Sequence, residues 1–177
     1  MESKIDHIIV GGGLAGLLLA WEFHKRKQSF IIFSNDKPSS SSVAAGTWNP
    51  VSFRTMTPTW RAQEMIDQME IVYQDIDQKL GTSMYSKIKV EKLLSNDQEK
   101  KFWEEKAKSE VSKDFLVASP HEVNIKGSIL FAGIVKQTGR LNLPQFVKEL
   151  HDFFKEQGNL IEEDFDYDAL KLNNSSI

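Results

Sequence analysis

Apolar residues crowd the first stretch of the chain, Lys4-Ile-Asp-His-Ile-Ile-Val10, and stop at Gly11, Gly12 and Gly13. A short β-branched run ended by glycine predicts a buried parallel strand. Leu14 to Lys27 is apolar at its start and cationic in its last turn, where positive charge suits the helix dipole, so it predicts a helix. Phe30-Ile-Ile-Phe33 predicts a second strand. Strand, glycine turn, helix and strand together form one βαβ unit with parallel strands and a right-handed crossover.

Ser39-Ser-Ser-Ser42 interrupts this pattern and reads either as a flexible linker or as a polar binding loop. Val43-Ala-Ala-Gly-Thr-Trp-Asn-Pro50 continues it as an irregular segment of small residues. Met65, Ile66, Met69, Val72, Ile76 and Leu80 recur at three- and four-residue steps and predict a helix from Thr59 to Leu80, with the methionines packed in the core and Gly81 as the stop. Ile88 to Leu94 reads as a strand. Ser95-Asn-Asp-Gln-Glu99 supplies capping residues for a helix running through Trp103 to Lys108. Phe115 to Ala118, Val123 to Ile125 and Ser128 to Val135 are strand candidates close enough in sequence to pair antiparallel in a second, smaller sheet. Asn142-Leu-Pro144 opens a helix over Gln145 to Gln157, ended by Gly158. Leu160-Ile161 then begins a strand that leads into the acidic Glu162 to Asp168, a solvated edge. The pattern alone describes an α/β domain with a small β-rich insertion.

Composition narrows the partners. The 177 residues are 40% hydrophobic, enough for a real core, and the net charge of −3 lacks the basic excess of a general nucleic-acid binder. No nucleic acid is expected. Without cysteine the chain has no disulfide framework, thiol nucleophile, iron–sulfur cluster, zinc ribbon or cysteinyl-linked cofactor, and it fits a cytoplasmic location. The most apolar stretch, Ile8 to Trp21, is shorter than the roughly 20 residues of a membrane helix and is broken by glycines, so no membrane association is expected. With Asp6 before it and no small-residue cleavage site after it, it is also a poor signal peptide. The four histidines, His7, His24, His121 and His151, lack metal-ligand spacing and read as surface or satisfied side chains; no metal is expected.

The chemistry sits in Gly11-x-Gly13-x-x-Gly16, placed between a predicted strand and a predicted helix as a dinucleotide fingerprint requires. Gly11 permits the tight turn, Gly13 lets the backbone approach a pyrophosphate, and Gly16 lets helix and strand pack closely. The helix N-terminus at Leu14 and Ala15 aims N–H groups at the phosphates. At the end of the second strand, where a carboxylate would hold the ribose hydroxyls, stand Ser34 and Asn35, with Asp36 after them.

The Ile8 to Gly16 segment, the short second strand and Ser-Ser-Ser-Ser-Val-Ala-Ala-Gly-Thr-Trp-Asn-Pro50 together resemble the D-amino-acid oxidase family of FAD-dependent oxidoreductases, which includes glycine oxidase and sarcosine oxidase. A second match, Gln137-Thr-Gly-Arg-Leu-Asn-Leu-Pro144 with the helix, Gly158 and Leu160-Ile161 after it, resembles the family's return from its substrate sheet. The resemblance implies FAD as cofactor, contacted by Ser39, Ser40, Ser41, Ala45, Gly46 and Thr47, with Trp48 and Asn49 near the flavin on the substrate side. It implies oxidation of an amine or amino-acid C–N bond by hydride transfer, for which no side-chain acid or base is required. The fold it implies is α/β: a Rossmann-like FAD-binding domain from residues 1–60 and 137–177 around a partial antiparallel-sheet substrate domain at 61–136.

Two departures accompany the resemblance. Ser34 stands where the family carries an acidic residue, and the chain ends about halfway along a family member, before the later strands and the arginine that holds the substrate carboxylate. It therefore reads as truncated, with apolar sheet edges to be covered by a missing C-terminal half or by a homodimer. Two other readings stay open. One is an NAD(P)-binding reductase fragment, in which Ser34 and Lys37 suit a 2′-phosphate; the other is a non-catalytic nucleotide-binding module.

Overall fold

The structure is a computed structural model that describes residues 5–35 and 40–170. In chain order the elements begin β1 (His7–Val10), α1 (Leu14–Lys25), β2 (Phe30–Phe33), α2 (Ser40–Val43), β3 (Thr47–Trp48), β4 (Val51–Ser52) and β5 (Thr57–Pro58). They continue with α3 (Ala62–Leu80), β6 (Tyr85–Lys87), β7 (Val90–Leu94), α4 (Asp97–Lys108), β8 (His121–Ile125), β9 (Ser128–Val135), β10 (Gly139–Leu141), α5 (Leu143–Glu156) and β11 (Leu160–Ile161). The chain divides into two compact units, one from residues 1–44 and 143–177, the other from residues 45–142.

The first unit is a parallel sheet in the order β1-β2-β11, with Ile9 beside Ile32 and Leu160 beside Ile32. Ile9, Ile32 and Leu160 share one face and are buried, because α1 and α5 bring their apolar sides to it. On α1 these are Leu17, Ala20 and Trp21; on α5 they are Leu143, Phe146, Leu150 and Phe154, at the three- and four-residue steps of a helix face. Phe154 meets Phe30 edge-on with ring centroids 5.5 Å apart. Burying aromatic side chains of this size contributes on the order of 2 kcal/mol each.

The opposite face corrects the expectation of a fully buried first strand. Ile8 and Val10 are about half exposed, at 49% and 48%, with Phe165 edge-on to Phe33 at 5.0 Å on the same side. The helix after β1 also stops earlier than Lys27. Arg26 N–H closes on Glu22 O and Lys27 N–H on His24 O, after which Lys27 adopts a left-handed φ of 55°. The tetraserine segment is neither linker nor open loop over its described part: Ser40–Val43 forms one helical turn, closed by Ala44 N–H on Ser40 O at 3.1 Å.

In the second unit, β7-β9-β8 is the antiparallel sheet that the pattern predicts, with Val90 beside Val135 and Val123 beside Leu130. Trp103 of α4, fully buried, lies flat where a side chain on Gly133 of β9 would stand, and its indole N–H donates to Val117 O at 2.9 Å. Several details differ from expectation. The helix begins at Ala62 rather than Thr59, because Thr59 N–H is bonded to Pro50 O at 2.7 Å and Arg61 turns left-handed at φ 50°. The strand expected over Ile88 to Leu94 starts at Val90, since Ile88 N–H bonds Thr138 O. Phe115 to Ala118 makes only a single bridge, Leu116 to Val135, because the Phe115 and Leu116 amides close a turn on Ser112 O. That turn is anchored by the buried Ser112, whose hydroxyl donates to Met56 O at 2.9 Å. Finally, Met65 is half exposed rather than core.

The capping residues ahead of α4 act as their types predict. Asn96 Oδ1 accepts from Glu99 N–H, and the Glu99 carboxylate accepts from Ser95 N–H at 2.7 Å and from the Lys92 ammonium of β7. The Lys92 hydrogen bond, followed by the Ser95 amide, holds the Glu99 pKa below its ordinary value near 4.5. A carboxyl depressed on folding adds stability above its unfolded pKa and loses it as pH falls through the folded one. Glu99→Gln is therefore expected to flatten the acid side of the stability curve. Measured by urea unfolding, wild type exceeds the variant near neutral pH by less than about 1 kcal/mol, as for a partly exposed pair, and the gap closes below about pH 4.

Candidate cofactor site

The glycine turn joins β1 to α1 as the fingerprint requires. Gly11 sits at φ 110°, which only glycine adopts without strain, and its N–H is held by Phe33 O at 2.8 Å. A side chain on Gly16 would run into the Gly11 carbonyl, so helix and turn touch backbone to backbone. By helix geometry the Leu14, Ala15 and Gly16 amides have no carbonyl within α1, and Leu17 N–H is the first to close, on Gly13 O at 3.0 Å.

Three side chains from elsewhere in the same unit converge on this turn. Ser41 of α2 accepts the Leu14 N–H through Oγ at 3.1 Å and lies 3.1 Å from where a side chain on Gly13 would begin. Ser34, 8% exposed at the end of β2, places its hydroxyl against Gly12. His151 of α5 brings Nε2 to 2.7 Å from Gly12 O. Asn35, next along, donates its side-chain amide to Asp164. Thus Gly11, Gly13, Leu14, Ala15, Gly16, Ser34 and Ser41 belong to one cluster, with the exposed Ser40 opening α2 beside it and Asn35 turned to Asp164. Ser39 and the neighbouring Asp36 and Lys37 lie outside the described residues.

His151 and Asp164 were not marked by the sequence pattern. One hint at His151 is its position next to Leu150 on the edge of an apolar helix face. A third successive glycine, Gly12, is the better clue, because the fingerprint does not require it.

Ala45, Gly46, Thr47, Trp48 and Asn49 belong to the second unit. Gly46 is left-handed at φ 69° and its carbonyl accepts from Leu141 N–H. β3 pairs with β10 so that Trp48 lies opposite Gly139, and the indole N–H donates to Gln137 O at 3.1 Å while its ring stacks on Tyr85. Asn49 Oδ1 accepts from Val51 N–H and turns the chain into β4. Trp48, Asn49 and Pro50 wall an apolar cleft of about 160 Å³ with Met65, Ile66 and Met69 of α3.

The amides of Gly13 and Ala15, the Ser41 hydroxyl that accepts from Leu14, a turn free of side chains and a helix N-terminus fit the pyrophosphate of a dinucleotide. Fold and site therefore define a dinucleotide-binding α/β protein. Residues 6–94 match the FAD binding domain family, and the chain belongs to it. Its fold is that of several solved chains. Glycine oxidase from Bacillus cereus ATCC 14579 superposes with a TM-score of 0.65 at 19% identity, over 97% of this chain and 49% of that one. Iminodiacetate oxidase from Chelativorans sp. BNC1 gives 0.59 at 13% identity, over 88% and 46%. L-Proline dehydrogenase from P. horikoshii gives 0.55 at 17% identity, over 92% and 45%. The chain thus spans just under half the length of these structures. Among the described residues no helix is long and apolar enough to cross a membrane.

Proposed function

We propose that this chain is the FAD-binding portion of an oxidoreductase that oxidises the C–N bond of a small amine or amino acid. The observation that carries the reading is the fold shared with enzymes named for glycine, iminodiacetate and proline, extending over nearly the whole chain and not only over the nucleotide turn. FAD, when bound, supplies the two-electron acceptor for hydride leaving the substrate carbon. The chain's own residues bind and orient it. The turn amides of Gly13 and Ala15 hold the pyrophosphate, Ser40 and Ser41 add hydroxyls beside it, and Asn35 serves the ribose in place of a carboxylate. Residues 1–60 and 137–177 form the cofactor domain in this reading, and 61–136 the start of the substrate domain. The family resemblance assigns Ala45, Gly46 and Thr47 to FAD as well, and Trp48 and Asn49, with the apolar cleft they wall, to the substrate side.

A reductase using NADP is less well supported, because the Ser34 hydroxyl on which it depends is packed against Gly12 instead of being presented to a 2′-phosphate. The test is to express the chain, record its visible spectrum and identify the released cofactor by mass. A flavin spectrum with FAD released is the expected result. A folded protein that stays colourless with added FAD overturns independent flavin binding. Cytoplasmic residence and a covering partner, whether a second copy or further polypeptide, complete the proposal.

A further inference from the structure

We infer that His151 is a positioning residue for the cofactor pyrophosphate, acting through the Gly12–Gly13 peptide; this rests on the FAD-binding reading above. A carbonyl oxygen only accepts, so the 2.7 Å contact to Gly12 O means that His151 Nε2 carries the proton and donates. In a trans peptide the carbonyl of one residue and the N–H of the next point in opposite directions, and the described chain contains no cis bond. Pulling Gly12 O toward α5 therefore aims Gly13 N–H the other way, out of the turn. It also ties the Gly12 carbonyl, which would repel an anion, to α5.

The identity of residue 12 supports the same device. The fingerprint leaves this position free, yet a side chain on Gly12 would collide at once with His151 Nε2 and with Ser34 Oγ. Histidine and serine fill the space that a side chain would take, so the third glycine and His151 form one fitted set. α5 thereby ties a segment from the far end of the first unit to the turn that holds the phosphates.

The experiment compares wild type with His151→Phe, which keeps a ring of similar size but donates nothing, and His151→Gln, whose amide restores a donor. FAD affinity is read by flavin fluorescence and stability by melting without ligand. Loss of the one hydrogen bond that orients the Gly12–Gly13 peptide predicts about tenfold weaker FAD binding for the phenylalanine variant and recovery to within about threefold for glutamine, at similar melting temperatures. Equal FAD affinity in the two variants overturns the inference. A measurement on wild type alone is independent of how the variants fold: on adding ADP, the Gly13 amide resonance is expected to be among the most shifted, and an unmoved Gly13 also overturns it. Wild type that takes up neither FAD nor ADP overturns the cofactor reading itself, whereas wild-type binding with an unaffected phenylalanine variant overturns only the role of His151.

Discussion

Gly16→Ala is expected to abolish FAD binding and to lower stability by on the order of 3 kcal/mol or more, the upper range for forcing atoms into a filled space. The added methyl meets the Gly11 carbonyl, a backbone group, not the flexible end of a side chain. Gly11 cannot retreat, because its N–H is bonded to Phe33 and its φ of 110° already uses the freedom that glycine allows. The helix must lift away from β1 and carry the Leu14 and Ala15 amides with it. Denaturant unfolding and FAD titration read the two effects separately. A variant of wild-type stability that binds FAD normally would show that turn and helix are not in backbone contact.

Gly139→Ala has the second largest expected effect, in the other unit. Its methyl would enter the Trp48 ring, which is pinned by the Gln137 carbonyl and the Tyr85 stack. The expected outcome is a loss of about 2–3 kcal/mol and displacement of Trp48, visible as a change in tryptophan fluorescence before unfolding. The double variant Gly139→Ala, Trp48→Ala should recover part of the loss, since the clash is gone. Additive losses in the two single variants would refute the contact.

That contact shows what the sequence could carry. Two of the segments that resemble the oxidase family, Ser39 to Pro50 and Gln137 to Pro144, are far apart in the chain, and the structure pairs part of one with part of the other as β3 and β10. Long periodic elements such as α3 and α5 were legible because burial imposes a helical step on many residues at once. Tyr85 to Lys87 was not, since three residues with polar side chains carry no periodic signal and pair only because β10 lies beside them. Phe115 to Ala118 misled for the reverse reason: its apolar residues are buried by a turn on Ser112, which periodicity cannot distinguish from a strand. In the cofactor site, the glycines announce themselves by steric necessity. His151 does not, and Ser34 shows its position but not its packing against Gly12, because both roles arise only when β2 and α5 close around the turn.

The interrupted course of the first unit also governs how it is made. β11 completes the sheet by pairing with β2, yet the whole of residues 45–142 is synthesised between them. The contiguous unit is free to fold as it leaves the ribosome, while β1, α1 and β2 wait as an apolar βαβ fragment without α5 to cover Trp21 and Phe30. Ordering the intervening segment first shortens the effective loop that must close and lowers its entropic cost. The glycine turn therefore gains its support only once α5 has been made, because His151 arrives on that late helix.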